Sequence, residues 1–202
     1  MPARLAILLS GRGSNFAAIH EAIARGELDA RIAAVISNKP SAAGLEKARE
    51  WGHPTAVIPH RDFDSREAHE RAVIASIEES GADLVVLAGY MRLLSERFVG
   101  SFRGRILNIH PSLLPAFPGA DAQAQALAHG VKVSGCTVHL VDDTLDGGPI
   151  LVQRTVPVHD DDSTDTLAAR ILEQEHVAYV EALRIVIGGK YRIEGRRVIV
   201  SQ

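Results

Sequence analysis

An unbroken apolar run that ends in a glycine turn constrains the fold of this chain more than any other feature. Residues 5–9 are apolar at every position, residues 10–15 carry two glycines, and helical spacing of apolar side chains begins at Phe16. A strand that is apolar on both faces is typical of a parallel sheet covered by helices on both sides. The start of the chain therefore predicts a strand, a turn and a helix of an α/β fold.

The same alternation of strand and helix patterns continues along the chain. The predicted strands are residues 31–36, 55–58, 83–88, 105–108, 133–141 and 150–156. The predicted helices are residues 42–51, 64–80 and about 164–187, and a closing hairpin follows at residues 191–193 and 197–200. We expect one doubly wound domain over residues 1–202, with a mostly parallel sheet, helices on both faces and ligands at the carboxyl ends of the strands.

Charge and cysteine content exclude several kinds of partner. The 25 acidic and 22 basic residues give a net charge of -3 and leave no basic block for a phosphate backbone, so we expect no nucleic-acid partner. Cys136 is the only cysteine, which excludes an intrachain disulfide or a cysteine-based zinc cluster and is typical of a reducing compartment. The first apolar run is too short to cross a bilayer. We expect a cytoplasmic protein without a targeting segment or a membrane partner.

The glycine turn is the first candidate binding site. Gly11 and Gly13 let a ligand approach the backbone, and the helix that follows offers free amide groups at the positive end of its dipole. Phe16 replaces the third glycine of a dinucleotide-binding turn and no lysine of a triphosphate loop follows, so a phosphate monoester is favoured over NAD or ATP. A tight turn in which Ser14 or Asn15 caps the helix explains the pattern equally well.

Two further segments carry side chains suited to catalysis. Asn108 and His110 stand two residues apart at the end of a predicted strand, so both side chains point to one side, beside the proline-rich residues 111–118. Such a pair can polarise a carbonyl group and stabilise the oxyanion that forms when it is attacked. The alternative is a structural loop whose histidine bonds the backbone. The acidic loop with Asp142 and Asp146 lies between two predicted strands, where Asp and Gly usually form only a turn.

The remaining polar clusters indicate structure more than chemistry. Residues 160–165 suit the N-terminal cap of the long helix better than a metal site, and residues 173–176 are expected on its solvated face. The histidines without metal-ligand spacing are His20, His53, His60, His69, His129, His139 and His159. We therefore expect no metal.

Eight segments together carry a specific resemblance to a known family. They are residues 9–15, 36–38, 63–68, 87–94, 108–115, 135–139, 145–150 and 174–176, within a match from residue 5 to about residue 179. The chain resembles the phosphoribosylglycinamide formyltransferases of folate-dependent purine synthesis. The resemblance implies a Rossmann-like formyltransferase fold. It also implies transfer of the formyl group of 10-formyltetrahydrofolate, a consumed co-substrate, to the amine of glycinamide ribonucleotide without a metal.

The resemblance implies that Asn108, His110 and Asp146 are the catalytic residues. Attack of the amine on the formyl carbon would give a tetrahedral intermediate, and Asn108 and protonated His110 would stabilise its negatively charged oxygen. A nearby carboxylate such as Asp146 would favour the charged form of the imidazole. The same carboxylate would order the water that carries the amine proton to the folate nitrogen.

The resemblance also implies the binding residues. The phosphate of the ribonucleotide would be held by Gly13, Ser14 and Asn15, and its ribose or amine end by Glu175. The residues implied to contact the folate are Arg66, Met91, Arg92, Leu93, Leu94, Asn108, Asp142, Asp143, Thr144 and Leu145. One departure is Asp121, because many family members have a histidine there. The partners would be these two small molecules, bound by a monomer or a homodimer.

Three rival functions stay open at this point. Hydrolysis of formyltetrahydrofolate would replace the amine by water, but by resemblance such enzymes carry an extra N-terminal domain. Transfer to initiator methionyl-tRNA would, by resemblance, need an added C-terminal barrel and a basic surface. A non-catalytic folate or nucleotide sensor would keep the scaffold, yet the implied catalytic residues and Glu175 are all present.

Overall fold

Strands and helices alternate through the first 107 residues, as the apolar pattern predicts. A computed structural model describes residues 1–201 and contains two compact units, of which the first runs from Met1 to Leu107. Its strands are β1 (Ala3–Leu9), β2 (Ala30–Ser37), β3 (Thr55–Val57), β4 (Leu84–Leu87) and the first part of β5 (Ile106–His110). Its helices are α1 (Ser14–Ala24), α2 (Ala43–Glu50), α3 (Arg66–Ser80) and α4 (Glu96–Ser101), with a 3-10 helix at His60–Asp62.

The strands of the first unit follow the order β3, β2, β1, β4 and β5. β1 pairs in parallel with β2 and β4, and β2 pairs in parallel with β3. Residues 5–9 of β1 are fully buried, which explains why no polar side chain interrupts this run. Because β1 and β4 are parallel neighbours, the turn after β1 and the segment after β4 emerge at the same edge of the sheet.

Two glycines in contact fix the turn after β1. Gly13 has a φ of 68°, and a Cβ built there would lie 2.8 Å from the Cα of Gly44 on α2. The backbone N–H of Gly44 also donates to the carbonyl oxygen of Gly11 at 3.0 Å. Glycine tolerates both the left-handed backbone and the close approach, so the path of this turn depends on Gly13.

The second unit begins at Asn108, within β5. Its further elements are α5 (Ala122–Ala128), β6 (Val133–Leu140), β7 (Ile150–Pro157), α6 (Thr164–Gly188), β8 (Tyr191–Glu194) and β9 (Arg197–Val200). Its strands follow the order β5, β6, β7, β9 and β8. β6 and β7 are antiparallel, β7 and β9 are parallel, and β8 and β9 form the predicted antiparallel hairpin.

The long helix α6 has clear signals at both ends. Ser163 and Thr166 form a capping box, in which each side chain bonds the backbone N–H of the other residue. Asp162 pairs with Arg170 on the helix at 2.7 Å. Gly189, with a φ of 65°, ends the helix in the left-handed conformation. Residues 160–165 thus contribute to helix capping, as the sequence predicts.

The α/β fold with a mostly parallel sheet is confirmed, and the differences concern short elements. The apolar pattern does not predict α4 and α5, because α4 has only six residues and α5 buries only Ala122 and Ala126. Neither helix therefore shows an apolar stripe. β5 ends at His110 rather than at Asn108, so both side chains of the predicted pair belong to the strand. The single domain over residues 1–202 stays a prediction.

Candidate active site

The end of β5 places Asn108 and His110 on one side of the strand, as their spacing predicts. His110 is 5% exposed. Its Nε2 lies 2.8 Å from the carbonyl oxygen of Phe117, and its Nδ1 lies 3.4 Å from Oδ2 of Asp146. Because a carbonyl oxygen only accepts, Nε2 carries a proton and donates it to Phe117. The other ring nitrogen, Nδ1, faces the carboxylate.

Asp146 combines a strained backbone with a carboxylate directed at this histidine. It lies between β6 and β7 with a φ of 49°, a conformation that costs a residue other than glycine about 1–3 kcal/mol. Its Oδ2 accepts from the backbone N–H of Gly119 at 2.8 Å, and its side chain is 11% exposed. The backbone does form a turn, since the N–H of Gly147 donates to the carbonyl of Thr144 at 3.1 Å. The turn and the contact with the imidazole are therefore compatible.

His139 on β6 lies beside Asn108, although the sequence analysis counts it among the histidines without an expected role. Its Nδ1 lies 2.9 Å from the carbonyl oxygen of Leu140, and its Nε2 lies 3.2 Å from Nδ2 of Asn108. Nδ1 therefore carries the proton, and Nε2 accepts from the amide of Asn108. Burial lowers the pKa of His139, which favours this neutral form. The amide of Asn108 is thereby held in one orientation, with a second N–H still available to a ligand.

The only signal for His139 in the sequence is its place in residues 135–139, one of the segments that carry the resemblance. Periodicity could not reveal it, because residues 136–140 alternate between apolar and polar, a pattern that predicts a solvent-facing His139, whereas β6 is buried at nearly every position.

The glycine turn starts α1 without a side-chain cap. Gly13 is the N-cap residue, α1 begins at Ser14, and the helix start has no side-chain capping bond. The interpretation in which Ser14 or Asn15 caps the helix is therefore wrong. Asn15 is buried at 6% exposure. The start of this eleven-residue helix keeps the backbone geometry that suits an anion.

The segment after β4 exposes apolar side chains while its backbone is held. Met91 and Leu93 are 73% and 66% exposed, and the side chains at positions 92 and 94 are half-buried. The N–H of Met91 donates to Oγ of Ser10 at 2.9 Å, and the guanidinium of Arg66 donates to the carbonyl of Leu93 at 2.9 Å. Within the first unit the structure therefore brings Arg66 and residues 91–94 together, next to Ser10 at the start of the glycine turn.

The other residues implied to contact the folate form a loop of the second unit, between β6 and β7. Oδ1 of Asp142 accepts from the backbone N–H of Thr144 at 2.8 Å, an Asx turn. Asp143, Thr144 and Leu145 are exposed. This loop is therefore open to solvent immediately before the largely buried Asp146.

Glu175 on α6 corrects one expectation. The prediction that residues 173–176 form a solvated face is wrong for this residue, which is 8% exposed and lies on the side of α6 that buries Ile171 and Ala178. Burial raises the pKa of the thiol of Cys136 on β6 to about 12, and the charge of Glu175 adds to that rise. Cys136 is therefore a buried, protonated thiol, and Glu175 is a buried carboxylate close to it.

Asp121, the departure from the family pattern, is the N-cap residue of α5. It is exposed, has a φ of 56°, and its side chain makes no capping bond. Its carboxylate takes no part in the bonds that join Asn108, His110 and Asp146. Its position offers no replacement for a catalytic histidine.

Residues 1–201 contain neither a cluster of metal-ligating side chains nor a helix that could cross a membrane. No three His, Cys, Asp or Glu side chains in this part of the chain are arranged to hold a metal ion. Over the same residues, no helix is both long enough and apolar enough to cross a bilayer.

Comparison with known proteins gives a consistent result. Residues 3–183 match the formyl transferase family. Phosphoribosylglycinamide formyltransferase of Escherichia coli is 47% identical over 175 residues, which are 87% of this chain and 82% of that protein. The crystal structure of glycinamide ribonucleotide transformylase 1 from Symbiobacterium toebii has a TM-score of 0.97 and 47% identity, over 100% of this chain and 95% of that one. The trifunctional purine biosynthetic protein adenosine-3 of Drosophila melanogaster is 47% identical over 189 residues, which are 92% of this chain but 14% of that protein.

Proposed function

This chain belongs to the formyl transferase family, and we propose that it transfers the formyl group of 10-formyltetrahydrofolate to the amine of glycinamide ribonucleotide. The observation that carries the proposal is the contact between Nδ1 of His110 and Oδ2 of Asp146 at 3.4 Å, beside an Asn108 amide that His139 holds in place. A fixed neutral donor and an imidazole next to a carboxylate are the groups that stabilise a developing oxyanion. The acceptor follows from the transferases to which the chain is similar.

The reaction starts when the neutral amine attacks the formyl carbon. A carbon–nitrogen bond forms, and the carbonyl electron pair moves onto the oxygen, which gives a tetrahedral intermediate with a negative charge. When the carbonyl re-forms, the bond between this carbon and N10 of the folate breaks. The amine loses one proton and N10 gains one, so the products are the formylated ribonucleotide and tetrahydrofolate.

Asn108 donates to the oxyanion from the N–H that His139 does not use. One N–H of its amide is bound to Nε2 of His139, so the side chain loses little freedom when the oxyanion forms. A donor that is already oriented before the reaction stabilises the transition state more than one that must first reorient.

His110 acts on the substrate through Nδ1. Nε2 is occupied by the bond to Phe117, so Nδ1, which lies 3.4 Å from Oδ2 of Asp146, is the ring nitrogen that remains for the oxyanion. Asp146 stabilises the protonated imidazole through charge. It also orders the water that moves the amine proton toward N10.

The binding residues divide between the two units. In the first unit, Gly13, Ser14 and Asn15 hold the phosphate with backbone amides at the start of α1, and Arg66 and residues 91–94 contact the folate. In the second unit, the carboxylate of Glu175 holds the ribose or amine end, and residues 142–145 contact the folate. The chemistry uses these side chains and no metal. The cytoplasmic location and the choice between monomer and homodimer stay predictions.

The test is an absorbance assay of the purified protein with 10-formyltetrahydrofolate and glycinamide ribonucleotide. We expect release of tetrahydrofolate that depends on the ribonucleotide, with formylated ribonucleotide identified by mass spectrometry. Equal release in the tube without ribonucleotide would replace the proposal by hydrolysis. No release in either tube, with folate bound, would replace it by a sensor.

A further inference from the structure

Glu70 is a buried carboxylate in the first unit that neither the sequence patterns nor the proposed mechanism uses. It lies on α3, and its side chain is 7% exposed. Three donors converge on it. Nε of Arg66 donates to Oε1 at 3.1 Å, the backbone N–H of Ser95 donates to the same oxygen at 2.9 Å, and the hydroxyl of Ser95 donates to Oε2.

These bonds fix one end of residues 91–94. Ser95 is the N-cap of α4, and its Oγ accepts from the N–H of Phe98 at 3.2 Å while its hydroxyl proton goes to Glu70. The other end is fixed by Ser10, whose Oγ accepts from Met91 N and donates to Oδ1 of Asn38 at 2.6 Å. The segment is therefore held by polar groups at both ends.

Arg66 connects Glu70 to the middle of the same segment. Its Nε donates to Glu70, and its Nη2 donates to the carbonyl oxygen of Leu93 at 2.9 Å. These bonds use two of the five N–H groups of a guanidinium, and the Arg66 side chain remains 40% exposed. Glu70 thus fixes the direction of a cation that is still open to solvent.

The exposed side of the segment suits a flat, partly apolar ligand with an anionic group. Met91 and Leu93 are both more than half exposed. Large apolar side chains that are grouped at a surface usually mark a binding site. The guanidinium of Arg66 lies beside them through its bond to Leu93. A folate has both features, an aromatic ring system and carboxylates.

We propose that Glu70 is a positioning residue for the folate co-substrate, which holds Arg66 and residues 91–95 in the conformation that receives it. This inference rests on the proposed function. A buried carboxylate contributes little net stability, because the loss of hydration offsets its attraction to a partner. All three of its donors belong to Arg66 and Ser95, so its main contribution is a fixed geometry of the ligand-facing segment.

The first test compares the substitution Glu70→Gln with the wild type in steady-state kinetics. Glutamine keeps the size of the side chain but removes the charge, so its bonds to Arg66 and Ser95 weaken. We expect KM for 10-formyltetrahydrofolate to rise about tenfold, with KM for the ribonucleotide and kcat within about twofold, because only hydrogen bonds behind the folate segment change. Glu79→Gln is the matched control, since Glu79 is an exposed carboxylate on the same helix. An equal change in both KM values, or none, would overturn the inference.

The second test follows the segment directly by hydrogen–deuterium exchange. The amide of Ser95 should exchange faster in Glu70→Gln than in wild type, while peptides of β1 stay unchanged. Ser95→Ala should raise the folate KM by itself and should add little in the Glu70→Gln background, because both changes break the same contact. Unchanged exchange at Ser95, or fully additive effects, would refute the positioning role.

Failure of the proposed function is distinguishable from failure of this inference. If the wild type transfers no formyl group, the function is wrong, and the inference is then decided by calorimetric titration with tetrahydrofolate. Binding that weakens in Glu70→Gln but not in Glu79→Gln would support the positioning role. Equal affinity of all three proteins, or no binding by the wild type, would refute it.

Discussion

Replacement of His139 by leucine should slow the reaction without removing any group that touches the substrate. Leucine fills a similar volume but cannot accept from Asn108 Nδ2, which now bonds Nε2 of His139 at 3.2 Å. Loss of a whole oxyanion donor costs about 10²–10³-fold in kcat. Since Asn108 remains present but is no longer held, we expect kcat to fall about 10- to 100-fold, or about 1.4–2.7 kcal/mol. The carbonyl of Leu140 also loses its donor, which should lower the free energy of unfolding by about 1–3 kcal/mol.

The assay that isolates this effect is a double-mutant cycle in kcat at saturating substrates. Asn108→Ala should reduce kcat more than His139→Leu does. In the Asn108→Ala background, His139→Leu should have little further effect, because the amide that it positions is gone. His159→Leu is the control, since His159 is an exposed histidine outside the site.

Two results would contradict the reasoning. If His139→Leu and Asn108→Ala reduce kcat additively, His139 acts independently of Asn108. If His139→Leu unfolds more readily but keeps the wild-type kcat, its role is only structural. Urea unfolding of each variant separates the second case from a general loss of folded enzyme.

Three further changes have outcomes that follow from the geometry. Asp146→Asn keeps an acceptor for the neighbouring backbone but removes a charge 3.4 Å from His110, worth at most about 5 kcal/mol at an effective dielectric constant of about 20. The rate constant of a single turnover should fall about 10²–10³-fold, while substrate affinity stays nearly unchanged. A wild-type rate constant in this variant would remove Asp146 from the mechanism. Gly13→Ala would place a Cβ 2.8 Å from Gly44 at a φ of 68°, so urea unfolding should report a loss of about 1–3 kcal/mol; an unchanged midpoint would show that the turn can relax. Burial lowers the pKa of His69 in the folded protein below its ordinary value of 6.5. As the pH falls below 6.5, the imidazole is therefore protonated in the unfolded chain before it is protonated in the folded one, and the free energy of unfolding decreases. Thermal melts between pH 7.5 and 5.5 should therefore show a smaller acid loss for His69→Gln than for wild type, and equal slopes would exclude His69 as a contributor.

The fold could be predicted from the sequence where an element is long or its boundaries are chemically marked. β1 is apolar at residues 5–9 and is followed at once by a glycine turn, which together are typical of a buried strand, and α6 carries its own cap at Ser163. α4 and α5 could not be predicted, because a helix of six or seven residues has too few turns to show a 3.6-residue period.

Only part of the candidate site could be predicted from the sequence, and none of its hydrogen bonds could. Two-residue spacing places Asn108 and His110 on one side of β5, because side chains alternate along a strand. His139 comes from another strand, 31 positions later, and its bond to Asn108 depends on tertiary contact that no local pattern encodes. Glu70 was missed for the same reason, since its partner Ser95 lies 25 positions away.

Backbone strain is concentrated around His110. Among residues 1–201, the residues other than glycine with positive φ are Phe117, Asp121 and Asp146. The left-handed backbone at Phe117 directs its carbonyl to Nε2 of His110, and the one at Asp146 directs its carboxylate to Nδ1. Each conformation costs about 1–3 kcal/mol, so the loops that hold the imidazole reduce the stability of the fold. Strain on both sides of one side chain supports the proposed catalytic role of His110, because strained backbone conformations cluster at sites where a geometry is held for function.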